Sequence, residues 1–151
     1  MKNNWFAFQV GSLWRSGAGP DLLIITLLWC LAAALANPFG EFPINDDWSW
    51  TIAVKRLLVE GEFHPLSWTA MTLLTHVLWG ALFCKVFGFS FTTLRFCNLF
   101  TSLIGTVGVY LAVRQVTRGR WPAMVMALCL AFNPIYFALS LTFMTDVTFL
   151  L

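Results

Sequence analysis

The chain has 151 residues, 59% of them hydrophobic and only 11% charged, with a net charge of +2 and a mean hydropathy of +0.76. A soluble domain is about one-quarter charged, and its own surface could not keep this much apolar side chain from water, so lipid must serve as solvent for much of the chain. With so little net charge and no basic stripe the sequence excludes nucleic acid as a partner, and it holds no internal repeat. Eight Trp and fifteen Phe fit a chain whose rings collect at membrane interfaces.

Lys, Arg, Asp and Glu are absent from residues 22–40, 63–84, 96–113 and 121–145. A crossing helix needs roughly 20 residues to span about 30 Å of hydrocarbon, so each stretch qualifies or nearly does. Lys2 and Arg15 precede the first stretch, which predicts a cytoplasmic segment 1–20 and an outward helix 21–37. Ala34-Leu35-Ala36 resembles a signal-peptidase site, but the long preceding segment with Trp5, Phe6, Phe8 and Trp14 favours an uncleaved anchor. The densest basic segment, 114–120 with Arg114, Arg118 and Arg120, is also expected inside. An odd number of crossings must then separate it from the N-terminus. Residues 66–87, which hold His76, Gly80 and Lys85, are expected to lie along the outer surface or to dip partly into the membrane. Residues 93–113 return inward and 121–142 go outward again, with a kink at Asn133-Pro134. A four-span arrangement with 114–120 outside is the alternative.

This gives an all-α polytopic fold in which an external loop, 38–92, carries two juxtamembrane helices, 47–60 and 66–87. The first of these is amphipathic: Trp48, Ile52, Leu58 and Val59 alternate with Lys55, Arg56 and Glu60, Gly61 stops it, and Pro65 prevents its continuation. Asn45 or Asp46 can cap it. Plain capping explains Asp46 and Asp47; so does a carboxylate pair at a wet interface, usable as a general base or cation ligand. Asp146, in the segment 143–151, lies on the same face in the three-span arrangement. An acid embedded in apolar sequence is a functional candidate, although it can also cap a helix that begins there. His64 and His76 lack partners at metal-ligand spacing, and Arg95 can meet a lipid phosphate or anchor at the interface. Cys30, Cys84, Cys97 and Cys129 are scattered and read as small apolar residues.

The order of these features resembles the membrane-embedded GT-C glycosyltransferases, in particular the protein mannosyltransferases (glycosyltransferase family 39) and the bacterial aminoarabinose transferases. The resemblance rests on Asp46-Asp47 with the amphipathic segment to Phe63, on Lys85-Val86-Phe87-Gly88-Phe89-Ser90 with Leu94-Arg95, and on Asn133-Pro134 leading to Thr145-Asp146. One departure is His64-Pro65-Leu66, where many relatives carry Lys-Pro-Pro. The resemblance implies an N-terminal GT-C module, a fragment inactive alone, in the bacterial inner membrane with its site on the periplasmic side. It implies a polyprenyl-phosphate-linked sugar as donor and a lipid, protein or glycan hydroxyl as acceptor, with inversion at the anomeric carbon. Asp46 is then the catalytic base and Asp47 and Asp146 its assistants. Arg95 and His64 are donor-binding candidates, and use of a divalent metal stays open. A transporter fragment, with the acids binding an ion or proton, and a non-catalytic membrane subunit are the rival readings.

Overall fold

The structure, a computed structural model, describes residues 17–44, 46–63, 66 and 74–150. Among them are six α-helices: α1 Ala18–Ala36, α2 Asp47–Val59, α3 Leu74–Phe87, α4 Phe91–Thr117, α5 Arg120–Ala131 and α6 Pro134–Ser140, followed by a 3₁₀ turn, Thr148–Leu150. The protein is an all-α membrane protein. Helices α1 and α4 are each long and apolar enough to cross a bilayer; α5 and α6 together reach that length in residues but are bent by 61°. Helix α3, at 14 residues, is shorter than a crossing requires; the expected surface helix over 66–87 is described from Leu74 onward.

The break between α5 and α6 falls at Asn133-Pro134, as the proline dictates. Pro134 has no N–H to give and sits in the first turn of α6, while the Asn133 side chain accepts from the amides of Ile135 (3.0 Å) and Tyr136 (3.2 Å). A self-capped start lets a helix begin within an apolar setting without orphaned donors.

Two polar anchors set the positions of α1 and α4. At one end Asp21, fully buried near the start of α1, accepts from Tyr110 (2.7 Å) and Arg114 (3.1 Å) of α4 and from Arg120 Nε of α5 (2.7 Å). At the other end, the chain leaving α1 returns to the first turns of α4 through Gly40, Glu41 and Arg95. The two helices are therefore antiparallel neighbours, and everything between residues 37 and 90 starts and finishes at the end away from Asp21. Between the anchors, Trp29 Nε1 donates to the Leu99 carbonyl (3.2 Å) and the Tyr136 hydroxyl to the Ser102 carbonyl (2.7 Å). On α5, Ala123, Ala127 and Ala131 form a buried stripe of small residues at four-residue spacing. Without a hydrophobic drive between helices in lipid, such close approach and interhelical hydrogen bonds supply the association.

Helices α2 and α3 pack against the other end of α4 in a separate cluster: Trp50, Ala53, Val54, Val77, Ala81, Cys84, Leu94, Cys97 and Phe143. The buried stripe of α2 differs from the expected one. Trp50, Ala53 and Val54 face inward with Leu57 and Leu58 against them, whereas Trp48 and Val59 are exposed. The helix carries two apolar stripes; the inner one meets α3 and the outer one is exposed. Gly61, at φ 73, ends α2 as the sequence indicates. Gly80 permits the closest approach, since a Cβ there would stand 2.5 Å from the Phe143 ring. Cys84 and Cys97 are buried and Cys30 and Cys129 exposed; all four are free thiols.

Two substitutions test this packing. Asp21→Ala removes the carboxylate shared by Tyr110, Arg114 and Arg120 and is expected to cost about 3 kcal/mol; Gly80→Ala forces Phe143 outward at a cost of about 1–3 kcal/mol. Both should lower the thermal unfolding midpoint of purified protein in detergent, while a leucine-to-alanine change at exposed Leu23 should not.

Candidate active site

The loop that leaves α1 is short, irregular and held by backbone contacts. Asn37 takes a left-handed conformation (φ 52) and its amide bonds the Ala34 carbonyl, which turns the chain off the helix. Gly40 and Thr92 bond each other twice, the Gly40 amide to Thr92 Oγ1 (3.2 Å) and Thr92 Oγ1 to the Gly40 carbonyl (3.3 Å). Glu41 then caps α4 from outside that helix, accepting from the amides of Phe91 (3.0 Å) and Thr92 (3.3 Å), while Ser90 caps the Thr93 amide (2.9 Å). Partial burial opposes the Glu41 charge, but the Thr92 hydroxyl and the two amides outweigh it and lower the carboxyl below its ordinary value.

Arg95 closes the loop. It is 1% exposed, and one terminal nitrogen donates to the carbonyls of Pro38 and Gly40, both at 3.1 Å. The other terminal nitrogen donates to the Phe42 carbonyl, and the guanidinium lies 4.8 Å from the centre of the Phe42 ring. Its Nε is buried without a partner. Arg95 is thus turned inward onto the loop rather than toward lipid headgroups.

Asp46 and Asp47 follow, and the structure divides them. Asp46 is exposed. It occupies the N-cap position of α2, yet its side chain makes no capping bond; its carbonyl instead accepts from the Ser49 amide (3.2 Å) and Ser49 Oγ (2.8 Å). The expected side-chain cap from Asp46 is absent, and the Ser49 amide is taken by the Asp46 backbone carbonyl instead. Asn45, the other expected cap, lies outside the described residues. Asp47 is buried. Its Oδ1 accepts from the Ile44 amide (2.9 Å), and Oδ2 has no partner in hydrogen-bonding geometry. Burial raises the Asp47 carboxyl above its usual range, and the Ile44 and Phe143 backbone, the Arg95 charge and the Trp48 amide offset this only in part.

The turn after α6 packs against the same region. Asn98 of α4 donates through Nδ2 to the carbonyls of Thr142 (2.6 Å), Met144 (3.0 Å) and Leu139 (3.4 Å), fixing the path of the turn on both sides of Phe143. Phe143 enters the α2–α3 cluster, and its backbone reaches Asp47. Asp146 is exposed at the edge of an open groove of about 310 Å³ lined by Leu130, Asn133, Tyr136, Leu139 and Val147. The segment around Asp146 and the Asp46-Asp47 segment are thereby joined through Phe143, at the end of the molecule away from Asp21. His64 lies outside the described residues. Among the described residues no three His, Cys, Asp or Glu side chains stand together in a way that could hold a metal ion.

The family model for dolichyl-phosphate-mannose-protein mannosyltransferase matches residues 71–151, more than half of the chain. The chain belongs to this family. It is thus a glycosyltransferase-like membrane protein of GT-C type. No curated protein and no solved structure matches it. The matched segment of this mannosyltransferase-family chain contains Arg95, Asn98 and Asp146 but not Asp46 or Asp47; of these two, Asp47 meets the Phe143 backbone. The sequence did not single out Glu41 or Asn98 for this region, and it offered His76 only as a histidine without partners at metal-ligand spacing. Asn98 is the most accessible in hindsight, as a strong hydrogen-bonding side chain inside an uncharged stretch.

His76 gives the region a pH dependence. Burial lowers its pKa to about 4, against smaller raising effects from the Phe143 carbonyl and the Asp146 charge. The unfolded chain, with a histidine near pH 6.5, binds the proton more readily than the folded one. Stability is therefore full above about pH 6.5 and lost as pH falls toward 4. Unfolding midpoints measured between pH 7 and 4.5 should fall more steeply in the wild type than in His76→Phe.

Proposed function

We propose that this chain supplies the acidic site of a transferase that moves a sugar from a polyprenyl-phosphate donor to an acceptor hydroxyl at the external face of the membrane. The observation that carries the reading is the division of the acid pair: an exposed Asp46 carboxylate with no capping duty sits beside a buried Asp47 that braces its loop. A general base must reach a substrate proton, and its neighbours must hold it still. Asp46 accepts the acceptor's hydroxyl proton as that oxygen attacks the anomeric carbon. The bond from that carbon to the phosphate oxygen breaks, and polyprenyl phosphate leaves with its electron pair. Attack opposite the leaving group inverts the anomeric centre. Asp146 orients the acceptor from the groove beside α6, and Arg95 serves the site from within by holding residues 38–42.

Topology supports the same reading. Asp21, Arg114 and Arg120 gather at one end of α1 and α4, and Arg118 lies in the same connection. With the cationic end placed in the cytoplasm by the positive-inside rule, the loop with Asp46 and the turn with Asp146 emerge together outside. Single cysteines at Arg118 and Asp146 in the complete protein should label from opposite sides of sealed vesicles; labelling of both from outside would overturn the placement. Asp46→Asn should reduce sugar transfer by about 10²–10⁴-fold with insertion and unfolding midpoint unchanged. Retained turnover would remove Asp46 as the base.

A further inference from the structure

His76 has no part in the chemistry above, yet it is completely buried, and among the described residues its hydrogen bonds and ring contacts run to the segments that carry the acids. Its Nδ1 is 2.9 Å from Thr148 Oγ1, two residues past Asp146. Its ring stacks on Phe143, three residues before Asp146, at 4.0 Å between centroids and 22° between planes. Trp50 of α2, one turn beyond Asp47, meets it in a perpendicular ring contact, 6.0 Å between centroids and 89° between planes. The imidazole thus touches both halves of the site, its nitrogens toward the Asp146 turn and its ring against Phe143 and Trp50. The aliphatic side chains near it, such as Val77, could fill space but could not bond Thr148.

We infer that His76 is a positioning residue: it bonds Thr148 and stacks on Phe143 so that the Asp146 turn is held in register with α2 and its acid pair. This rests on the reading of Asp46 and Asp146 as two parts of one transferase site. The 3₁₀ turn holding Thr148 is only three residues long, and so short an element has little order of its own. Its place is set by tethers, of which Asn98 fixes the stretch through Met144 and His76 the stretch beyond.

The experiment compares His76→Phe, which keeps a flat ring and loses the bond, with Thr148→Val, Thr148→Ser and the His76→Phe/Thr148→Val double variant. All are made in the complete protein in lipid nanodiscs. Amide hydrogen exchange over residues 142–149 should quicken about tenfold in His76→Phe and in Thr148→Val, no further in the double variant, and return to wild-type rates in Thr148→Ser. Sugar transfer should follow, with kcat down about tenfold and the donor KM unchanged within about twofold. Unchanged exchange in both single variants, or effects that multiply in the double variant, overturns the tether. If exchange responds as described while no variant, wild type included, transfers sugar, the tether stands and the transferase reading falls. A change confined to donor KM with normal exchange overturns the positioning role.

Discussion

Arg95 carries a positive charge into a place with almost no access to solvent, and backbone carbonyls surround it in place of a carboxylate. Pro38, Gly40 and Phe42 lie in a stretch too short and irregular to satisfy its own acceptors, and the guanidinium fork supplies donors that would otherwise be missing. Each side completes the other, because a buried cation without partners and buried carbonyls without donors are both costly. The consequence extends outward from that contact. Once residues 38–42 are fixed to the start of α4, the chain enters α2 at a defined point, Asp47 turns inward, and Asp46 remains outside. Lysine could supply the charge but not the planar fork that reaches three carbonyls.

The Asp21 cluster does the same work at the opposite end with a different solution. There one buried carboxylate gathers a phenol and two arginines from two helices, and the connection between α4 and α5 is drawn against the start of α1. Between these anchors the helices associate through small residues and single hydrogen bonds. The polar contacts in this molecule thus concentrate at its two ends, where the chain must also turn, and the apolar middle is left to packing and lipid.

Much of this was legible in the linear chain. Uncharged stretches located α1, α4 and the α5–α6 pair, because lipid tolerates few unpaired charges along a crossing helix, and Asn133-Pro134 marked the break because proline removes a donor. The amphipathic character of α2 was also readable, but the inward face was not. A helix with Trp48, Trp50, Ala53, Val54 and Val59 offers two apolar stripes, and partners distant in the chain, Val77 and Ala81 of α3, Leu94 and Cys97 of α4 and Phe143 about ninety residues on, select the one bearing Trp50. Long-range partners of this kind leave little trace in local periodicity. For the same reason Asp46 and Asp47 looked alike in sequence: their difference comes from how the 38–44 loop lies on α4, with Asp47 bonded to Ile44. Arg95 read as an interfacial cation because nothing in its neighbourhood announces that it will point at carbonyls.

The 61° bend between α5 and α6 has a geometric consequence for the membrane itself. At 1.5 Å per residue, the twelve residues of α5 rise about 18 Å, and the seven of α6, so inclined, add only about 5 Å along the same axis. With α5 upright, the pair falls several ångströms short of the roughly 30 Å hydrocarbon layer. A short span is accommodated by drawing the leaflet inward around it. Where the bent pair crosses, the headgroup layer would be drawn in toward the turn that carries Asp146.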